Sequence, residues 1–243
     1  MLSYYSTIKE IEESNVDTVI LPIGSVEQHG SHLPIGTDYI FIQAVASEVA
    51  EKMGAFLLPT IPFSTCYEHR GKKGSSICTR PNTFYQMLEE LVLNLHDQGF
   101  KKVILLLGHG GVFIAGPAVR ELNSMHDDLQ VVLVHPIMND RVMAVLDCKE
   151  ELHAGEMETS CMLHLCEDAV KTDLMMQNDY IPDVPREYLN YASLLKLSAT
   201  GVWGKPSLAT KEKGAKLLEV TVEETVKYIE KALDAITVSK WQF

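Results

Sequence analysis

Short apolar runs alternate along this chain with longer segments in which apolar residues recur every three or four positions. The apolar runs predict buried strands at residues 18–21, 55–58, 103–107 and 131–134. Residues 103–107 contain no polar side chain, which favours a central parallel strand covered by helices on both faces. The alternation of strands and helices therefore predicts the α/β class.

Polar residues at the starts of the periodic segments indicate where helices begin. Ser6 is the expected N-cap of a first helix that ends near Asn15. Thr83, with Gln86 three positions further on, predicts a capping box for a helix over residues 81–98. Further helices are expected over residues 37–53 and 115–125, and from a cap at Thr210 to about residue 235.

A polar stretch with three glycines, residues 24–38, lies between the first predicted strand and the helix that follows it. In open α/β sheets, ligands bind at this carboxyl end of the strands. Glu27, His29, His32 and Asp38 can all bind a divalent cation, and Glu27 and His29 point to the same side of an extended backbone. Any one of them alone is an ordinary loop residue, but the four together within twelve positions predict a metal-binding loop.

Two further polar segments supply candidate ligands. His109 lies in Gly-His-Gly-Gly directly after the central strand, where glycines let the backbone approach an ion or a substrate closely. His153 and Glu158 lie five residues apart, in a loop and in the first turn of a predicted helix. Each segment also has a simpler explanation, because glycines mark tight turns and a helix dipole stabilises an acid in its first turn.

Taken together, the candidate ligands predict a centre with two cations. Oxygen and nitrogen ligands without cysteine suit Zn²⁺, Mn²⁺ or Fe²⁺. Three carboxylates and two histidines exceed the needs of one tetrahedral ion, so we expect two ions about 3.5–4 Å apart, bridged by Asp38 and a water. Such ions lower the pKa of the water and polarise a carbonyl group, and these two effects together promote hydrolysis. His153 is then placed to protonate the leaving group.

Composition narrows the classes of partner and location. The formal net charge of −12 disfavours nucleic acid as a partner, because such surfaces need clustered Lys and Arg. No apolar run reaches the length of a membrane span and the N-terminus lacks a secretory signal, so we expect a cytoplasmic protein with no membrane partner. Five cysteines without metal-finger spacing fit reduced thiols. A chain of 243 residues predicts a single domain over residues 1–243.

One long polar segment, residues 62–80, has no helix or strand pattern. Loops of this length inside a compact domain are usually functional or mobile. We predict a substrate-side loop or an oligomer contact, with no catalytic role assigned to any single residue. For His69 and Arg70, ordinary solvated charge and a functional role remain equally open.

The motifs as a group resemble those of the creatininase (creatinine amidohydrolase) family, and the likeness covers nearly the whole chain. They are Glu27-Gln28-His29-Gly30-Ser31-His32-Leu33-Pro34-Ile35-Gly36-Thr37-Asp38, Gly108-His109-Gly110-Gly111, His153-Ala154-Gly155-Glu156-Met157-Glu158-Thr159-Ser160 and Gly201-Val202-Trp203-Gly204-Lys205-Pro206. The resemblance implies a three-layer α/β/α sandwich with a mostly parallel sheet, and a homohexamer. It also implies a catalytic site of His153, as the catalytic histidine, and Glu158. The five implied metal ligands are Glu27, His29, Asp38, His109 and Glu158.

Departures from the family pattern bear on the substrate. Family members commonly carry Asn on both sides of the Gly-His-Gly-Gly block, where this chain has Leu107 and Val112. Creatininase itself carries a carboxylate where Gly111 stands, and a tryptophan just before its catalytic histidine that residues 149–152 lack. Creatinine is therefore not the expected substrate.

We expect instead a small-molecule substrate, namely a small polar cyclic amide. The alternatives within the family are a formamide, removed by a deformylase, and an oxidised cyclitol such as an inosose-type diketone, opened by hydrolysis. Outside enzymes, the same ligands fit a metal-stabilised sugar-binding or structural oligomer. His153 beside Glu158 favours the enzyme, because a structural metal site has no need of a spare acid–base group.

Overall fold

Strands and helices alternate along the computed structural model, which describes residues 1–136 and 140–238. The strands are β1 Thr18–Ile23, β2 Phe56–Leu57, β3 Lys102–Leu107 and β4 Gln130–Val134. The α-helices are α1 Ile8–Glu12, α2 Thr37–Met53, α3 Pro81–Asp97, α4 Ala115–Met125, α5 Asp140–Val145, α6 Glu156–Cys166, α7 Leu194–Leu197 and α8 Lys211–Val238. Short 3₁₀ helices occupy Tyr67–His69, Glu167–Ala169, Thr172–Leu174, Met176–Asn178, Arg186–Asn190 and Pro206–Leu208.

The four strands form one sheet in the order β2-β1-β3-β4, and every neighbouring pair is parallel. β3 is central, with Val103 opposite Val19 of β1 and Val131 of β4. The apolar run of β3 is fully buried, as a strand covered on both faces requires. The structure confirms the predicted α/β class, with a sheet that is parallel throughout its described strands.

Alternate residues of each strand feed two separate hydrophobic cores. Ile104 and Leu106 point to one face of the sheet and pack under α2, α5, α6 and α8. Val103 and Leu105 point to the other face and pack under α3 and α4. Because successive strand residues face opposite sides, one apolar run supplies both cores and the helices form two outer layers.

The predicted helix starts are only partly confirmed. The first helix is shorter than expected and its N-cap is Thr7, not Ser6, because the Thr7 side chain and Glu10 form a capping box. The box expected at Thr83 was wrong, since the helix already begins at Pro81, whose ring fixes the backbone angle that the first turn needs. Thr210 is confirmed as a cap, with its hydroxyl accepting a 3.1 Å hydrogen bond from the Lys213 N–H.

The predicted long loop is confirmed and is held against the start of the metal-binding loop. Backbone hydrogen bonds of 2.9 Å join the Gln28 N–H to the Ser75 carbonyl and the Ile77 N–H to the Val26 carbonyl.

Among residues 1–136 and 140–238, none of the helices combines the length and the hydropathy needed to cross a bilayer.

Candidate metal centre

The candidate ligands converge at the carboxyl edge of the sheet. Glu27 and His29 follow β1, His109 follows β3 and Asp38 lies in the first turn of α2. Gly108 brings the last two together, because a Cβ on this glycine would lie only 2.8 Å from the Asp38 carbonyl oxygen. The missing side chain lets the turn after β3 pack directly on α2.

The first ligand set consists of Glu27, Asp38 and His109, all buried. His109 Nδ1 lies 3.1 Å from Glu27 Oε1 and 3.3 Å from Asp38 Oδ2. Ser25 Oγ donates a 2.8 Å hydrogen bond to Asp38 Oδ2 and holds that carboxylate in place. Within the described chain, neither carboxylate oxygen of Glu27 has an aligned hydrogen-bond donor. A buried carboxylate whose lone pairs are unused is costly unless a cation compensates it, so this set fits a metal ion.

The second set consists of His29, Glu158 and the other oxygen of Asp38. His29 Nε2 lies 3.2 Å from Asp38 Oδ1 and 3.7 Å from Glu158 Oε2. His29 Nδ1 lies 3.1 Å from the Glu27 carbonyl oxygen, which can only accept, so Nδ1 donates and Nε2 faces the carboxylates. Asp38 therefore presents one oxygen to a histidine of each set.

Glu158 and His153 owe their positions to an unusual turn. Ala154 has a φ of 51°, the left-handed region that non-glycine residues seldom adopt, and its N–H donates to the Glu158 carboxylate. His153 is fixed by a pair of backbone bonds, since its N–H donates to Trp203 O at 3.0 Å and its carbonyl accepts from Trp203 N at 2.9 Å. The turn at residues 201–206 thus supports the loop that carries His153.

The ring of His153 has a defined tautomer. Its Nε2 lies 2.7 Å from the Gln28 carbonyl oxygen, an acceptor, so Nε2 carries the proton. Its Nδ1 is on the side of the cluster, 3.8 Å from Glu27 Oε1. The imidazole of His29 lies beside it, with ring centres 4.3 Å apart. An unprotonated nitrogen therefore faces the two ligand sets.

Burial and neighbouring charges set the pKa values of the three carboxyls. Burial raises the pKa of Glu27, and it raises the pKa of Glu158 to about 7. Burial acts on Asp38 too, but His29 and His109 outweigh it and hold the pKa of Asp38 well below its ordinary value. Asp38 is thus the carboxyl that stays ionised most readily, as a bridging ligand must.

The histidines divide into two classes. Burial alone would lower the pKa of His29 and of His109, but adjacent carboxylates raise the first to about 10 and the second well above its ordinary value. Burial and the neighbouring His29 lower the pKa of His153 well below its ordinary value. His29 and His109 thus lie where positive charge is favoured, which is where cations would bind, whereas His153 is a neutral base.

The structure does not bring every candidate into the cluster. His32 is buried elsewhere, with its Nε2 2.9 Å from Thr159 Oγ1. Val202, which follows the turn glycine Gly201, packs beside it over Gly30. His32 therefore links the metal-binding loop to α6 and lies outside the four groups of candidate ligands found among the described residues.

Two residues of the long loop join the site: His69, whose role the sequence left open, and Glu68, for which it predicted none. His69 is buried, and its Nε2 lies 3.0 Å from Glu27 Oε1. Glu68 Oε1 lies 3.3 Å from His109 Nε2. The only sequence signal for them was the unusual length and charge of the loop, which has no periodicity that would orient single side chains.

A cavity of about 710 Å³ opens above the ligands. Glu158, His153 and His109 line it, and the 3₁₀ helix Arg186–Asn190 contributes to its wall. This volume lies within the range of ordinary small-molecule sites. The remaining walls include Tyr67, Phe113, Met143, Glu151, Tyr191 and Ser193.

Known proteins share this sequence pattern. The family profile for creatininase, described as creatinine amidohydrolase, matches residues 4–229. The mycofactocin precursor peptide peptidase of Mycolicibacterium smegmatis is 31% identical in an alignment of 226 positions that covers 87% of this chain and 83% of that protein. The 3-dehydro-scyllo-inosose hydrolase of Thermotoga maritima is 24% identical in an alignment of 263 positions that covers 96% of this chain and 84% of that protein.

A solved structure shares the fold as well. A mutant creatininase described as Zn-Zn type superposes with a TM-score of 0.78 at 25% identity, covering 93% of this chain and 96% of that chain. The resemblance seen in the motifs is thereby confirmed. The chain belongs to the creatininase family of metal-dependent amide hydrolases.

Proposed function

We propose that the chain holds two divalent cations, bridged by Asp38, and hydrolyses an amide bond in a small polar cyclic substrate. Glu27 and His109 complete the first position, and His29 and Glu158 complete the second. The observation that carries this proposal is the placement of Asp38, whose Oδ1 faces His29 at 3.2 Å and whose Oδ2 faces His109 at 3.3 Å. One carboxylate shared in this way is typical of two-metal sites.

The donor set supports Zn²⁺ or Mn²⁺ as the ions, with Fe²⁺ as a further candidate. All five ligands offer nitrogen or oxygen, and each free cysteine lies outside the candidate ligand groups of the described residues. When bound, such ions supply an activated water and polarise the carbonyl group of the substrate. The proton transfers of the reaction are assigned to side chains.

His153 carries the proton transfers in this proposal. Its Nδ1 is unprotonated because Nε2 donates to the Gln28 carbonyl, and its lowered pKa keeps it neutral at physiological pH. Nδ1 can therefore accept the proton that water loses and deliver it to the leaving nitrogen. Glu158 lines the same cavity and would help to hold the second ion there.

The partly exposed side chain of Glu158 leaves the second cation position open to substrate. Glu158 is 12% exposed, whereas Glu27 is completely buried. Catalytic metal sites keep a position open for water or substrate, whereas structural sites are closed. This difference favours an enzyme over a metal-stabilised sugar-binding or structural oligomer.

The substrate class follows from the cavity and from what the centre lacks. Gly111 provides no carboxylate beside His109, and residues 149–152 provide no tryptophan before His153, so creatinine is not the proposed substrate. A cavity of about 710 Å³ accepts a larger ring than creatinine. A formamide is an alternative substrate. An oxidised cyclitol is also favoured by the relative from Thermotoga maritima, which matches 96% of this chain.

We also propose a cytoplasmic homohexamer. Free cysteines throughout the described chain fit a reducing compartment. Large exposed apolar side chains, among them Tyr5, Met176 and Tyr191, are suited to contacts between copies. Size-exclusion chromatography with light scattering measures the mass directly, and a monomeric species would contradict the hexamer.

The test of the activity uses metal-replete protein and a panel of cyclic amides, formamides, lactones and cyclic diketones. We expect turnover of one class, its loss with a chelator, and its recovery on addition of Zn²⁺ or Mn²⁺. Two bound ions with no chelator-sensitive turnover across the panel would favour the binding protein instead.

A further inference from the structure

The 3₁₀ turn Tyr67–His69 contacts the two residues that complete the first cation position, Glu27 and His109. Its loop is tied to the metal-binding segment by the 2.9 Å bond from the Gln28 N–H to the Ser75 carbonyl, and Glu27 pairs with Ser76 across an isolated antiparallel bridge. The turn is therefore held at a fixed distance from the proposed ligands. Glu68 and His69 each reach one of them.

Glu68 faces the far side of the His109 ring. His109 Nδ1 points to Glu27 Oε1 at 3.1 Å, and His109 Nε2 lies 3.3 Å from Glu68 Oε1. The second contact lacks the alignment of a full hydrogen bond, so Glu68 acts on the ring through its charge. A neutral imidazole has one N–H, and a carboxylate can only accept. The carboxylate of Glu68 therefore favours the tautomer with the proton on Nε2, which leaves the Nδ1 lone pair to a cation. Carboxylates in this position also raise the basicity of a ligand histidine.

Gly111 makes the position of Glu68 possible. A Cβ on Gly111 would lie 1.9 Å from Glu68 Oε1, far inside van der Waals contact. The carboxylate of the loop thus occupies the space that any side chain at position 111 would take. The long loop therefore places the carboxylate of Glu68 beside His109, whereas the turn after β3 has no carboxylate of its own.

His69 acts on the other ligand, and Gln28 sets its tautomer. The Gln28 amide has a fixed orientation, because its Oε1 accepts from the Gly30 N–H at 3.0 Å and its Nε2 donates to the Gly201 carbonyl at 2.9 Å. The same Nε2 lies 3.1 Å from His69 Nδ1. An amide nitrogen only donates, so His69 Nδ1 accepts and His69 Nε2 carries the proton.

That protonated nitrogen lies 3.0 Å from Glu27 Oε1. With its proton on Nε2, His69 cannot bind a cation through this atom, although its position would otherwise suit a ligand. The N–H is not aligned on the oxygen as in a full hydrogen bond, so the Glu27 lone pairs stay available to a cation. The contact restricts the movement of the Glu27 carboxylate.

We propose that Glu68 and His69 are positioning residues that orient His109 and Glu27, and that they set the cation affinity of the first position while leaving the second unchanged. The proposal rests on the two-cation centre proposed above. Outer partners of this kind affect metal affinity by about 10–100-fold. Asp38, His29 and Glu158, which form the second position, have no contact with either residue among the ion pairs of the described chain.

The test is calorimetric titration of the metal-free full-length protein with Zn²⁺. Glu68→Gln keeps the shape of the side chain and removes its charge. His69→Phe keeps a ring and removes both nitrogens, and His69→Gln returns an N–H donor. Glu187→Gln removes a charge from the wall of the same cavity and serves as the matched control.

We expect one of the two binding steps to weaken by about 10–100-fold in Glu68→Gln and in His69→Phe, with the other step unchanged. His69→Gln should recover part of the loss, and Glu187→Gln should bind as the unmodified chain does. Circular dichroism of the metal-free variants reports folding, and Glu68→Gln alone carries the test if His69→Phe does not fold.

The outcomes separate the two proposals. An unmodified chain that binds fewer than two ions overturns the two-cation centre itself. Two ions bound with both steps unchanged in Glu68→Gln overturns only the positioning role, as does an equal loss at both steps.

Discussion

The two proposed cation positions share Asp38 but are built from different parts of the fold. The first takes Glu27 from the segment after β1 and His109 from the turn after β3, so adjacent parallel strands deliver it. The second takes His29 from the same segment after β1 and Glu158 from the start of α6, which follows the strained turn at Ala154. His109 and Glu158 each line the cavity, but the first position includes the completely buried Glu27, whereas Glu158 of the second is 12% exposed.

This difference predicts separate roles for the two proposed cation positions. A site delivered by the sheet keeps its geometry because the strands are locked in register by hydrogen bonds and covered on both faces. The second position depends in part on a loop and a helix start, and it can meet substrate through the partly exposed Glu158. We therefore expect the first position to bind its ion more tightly and the second to govern turnover.

Asp38→Asn should have the largest effect, because it acts on both positions at once. Loss of the bridging charge is expected to reduce the metal content from two ions to fewer than one. Turnover should fall by about 10³-fold or more, since metal ions supply several kcal/mol of transition-state stabilisation. Elemental analysis and a steady-state assay measure both quantities. Asp97→Asn, an exposed acid at the end of α3, is the control.

His153→Asn should separate proton transfer from metal binding. We expect both ions to remain, with turnover reduced by about 10²–10⁴-fold, the usual contribution of a general acid–base group. His164→Asn, at the exposed end of α6, should leave turnover unchanged. Full turnover in His153→Asn with both metals bound would remove His153 from the mechanism.

Glu158→Gln should sharpen the comparison through the pH dependence of stability. In metal-free protein, burial raises the pKa of Glu158 to about 7, whereas the unfolded chain loses this proton near the ordinary value of 4.5. The folded state therefore binds more protons between these values, and its stability falls as pH rises through that window.

Glutamine does not titrate, so the stability of Glu158→Gln relative to the unmodified chain should rise over the same window, by at most about 1.4 kcal/mol per pH unit. Urea unfolding in the presence of a chelator at pH 5 and pH 7 measures this change. A difference that stays constant between the two pH values would contradict it. Glu90→Gln, on the exposed face of α3, should show no pH-dependent change.

Gly108→Ala should have the smallest effect, and it acts on the first position. The new Cβ would lie 2.7 Å from Ile42 Cβ and 2.8 Å from the Asp38 carbonyl, and such overpacking costs about 1–3 kcal/mol. Denaturant unfolding measures the loss, and Zn²⁺ titration should show the first step weakened more than the second. Gly116→Ala in α4, whose Cβ would meet no atom within 4 Å, should be as stable as the unmodified chain.

The sequence predicted the parts of this molecule that depend on short-range pattern. The apolar run of β3 predicted a buried central strand, and the glycines around His109 and in residues 24–38 marked the two loops that meet. β2 is shorter than the apolar run at 55–58, because only Phe56 and Leu57 find a ladder partner at the edge of the sheet.

Such short-range patterns could not predict contacts between residues that are far apart in the sequence. Glu68 and His69 lie about forty residues from the ligands that they contact, on a loop whose course is set by backbone bonds to the metal-binding segment. The capping box at Thr83 failed for a local reason, since a proline two residues earlier begins the helix. His32 had the right chemistry, but its ring packs against α6.

The side-chain amide of Gln28 joins parts of the chain that are synthesised far apart in time. Its partner Gly201 is 173 residues away, and closing so long a loop is entropically costly until most native contacts exist. In a nascent chain, Glu27, His29 and Asp38 are therefore accessible to free cations before the contacts around His69 and His153 have formed. We therefore expect the proposed metal centre to be completed late in biogenesis, once Gly201, in the last fifth of the chain, has docked on Gln28.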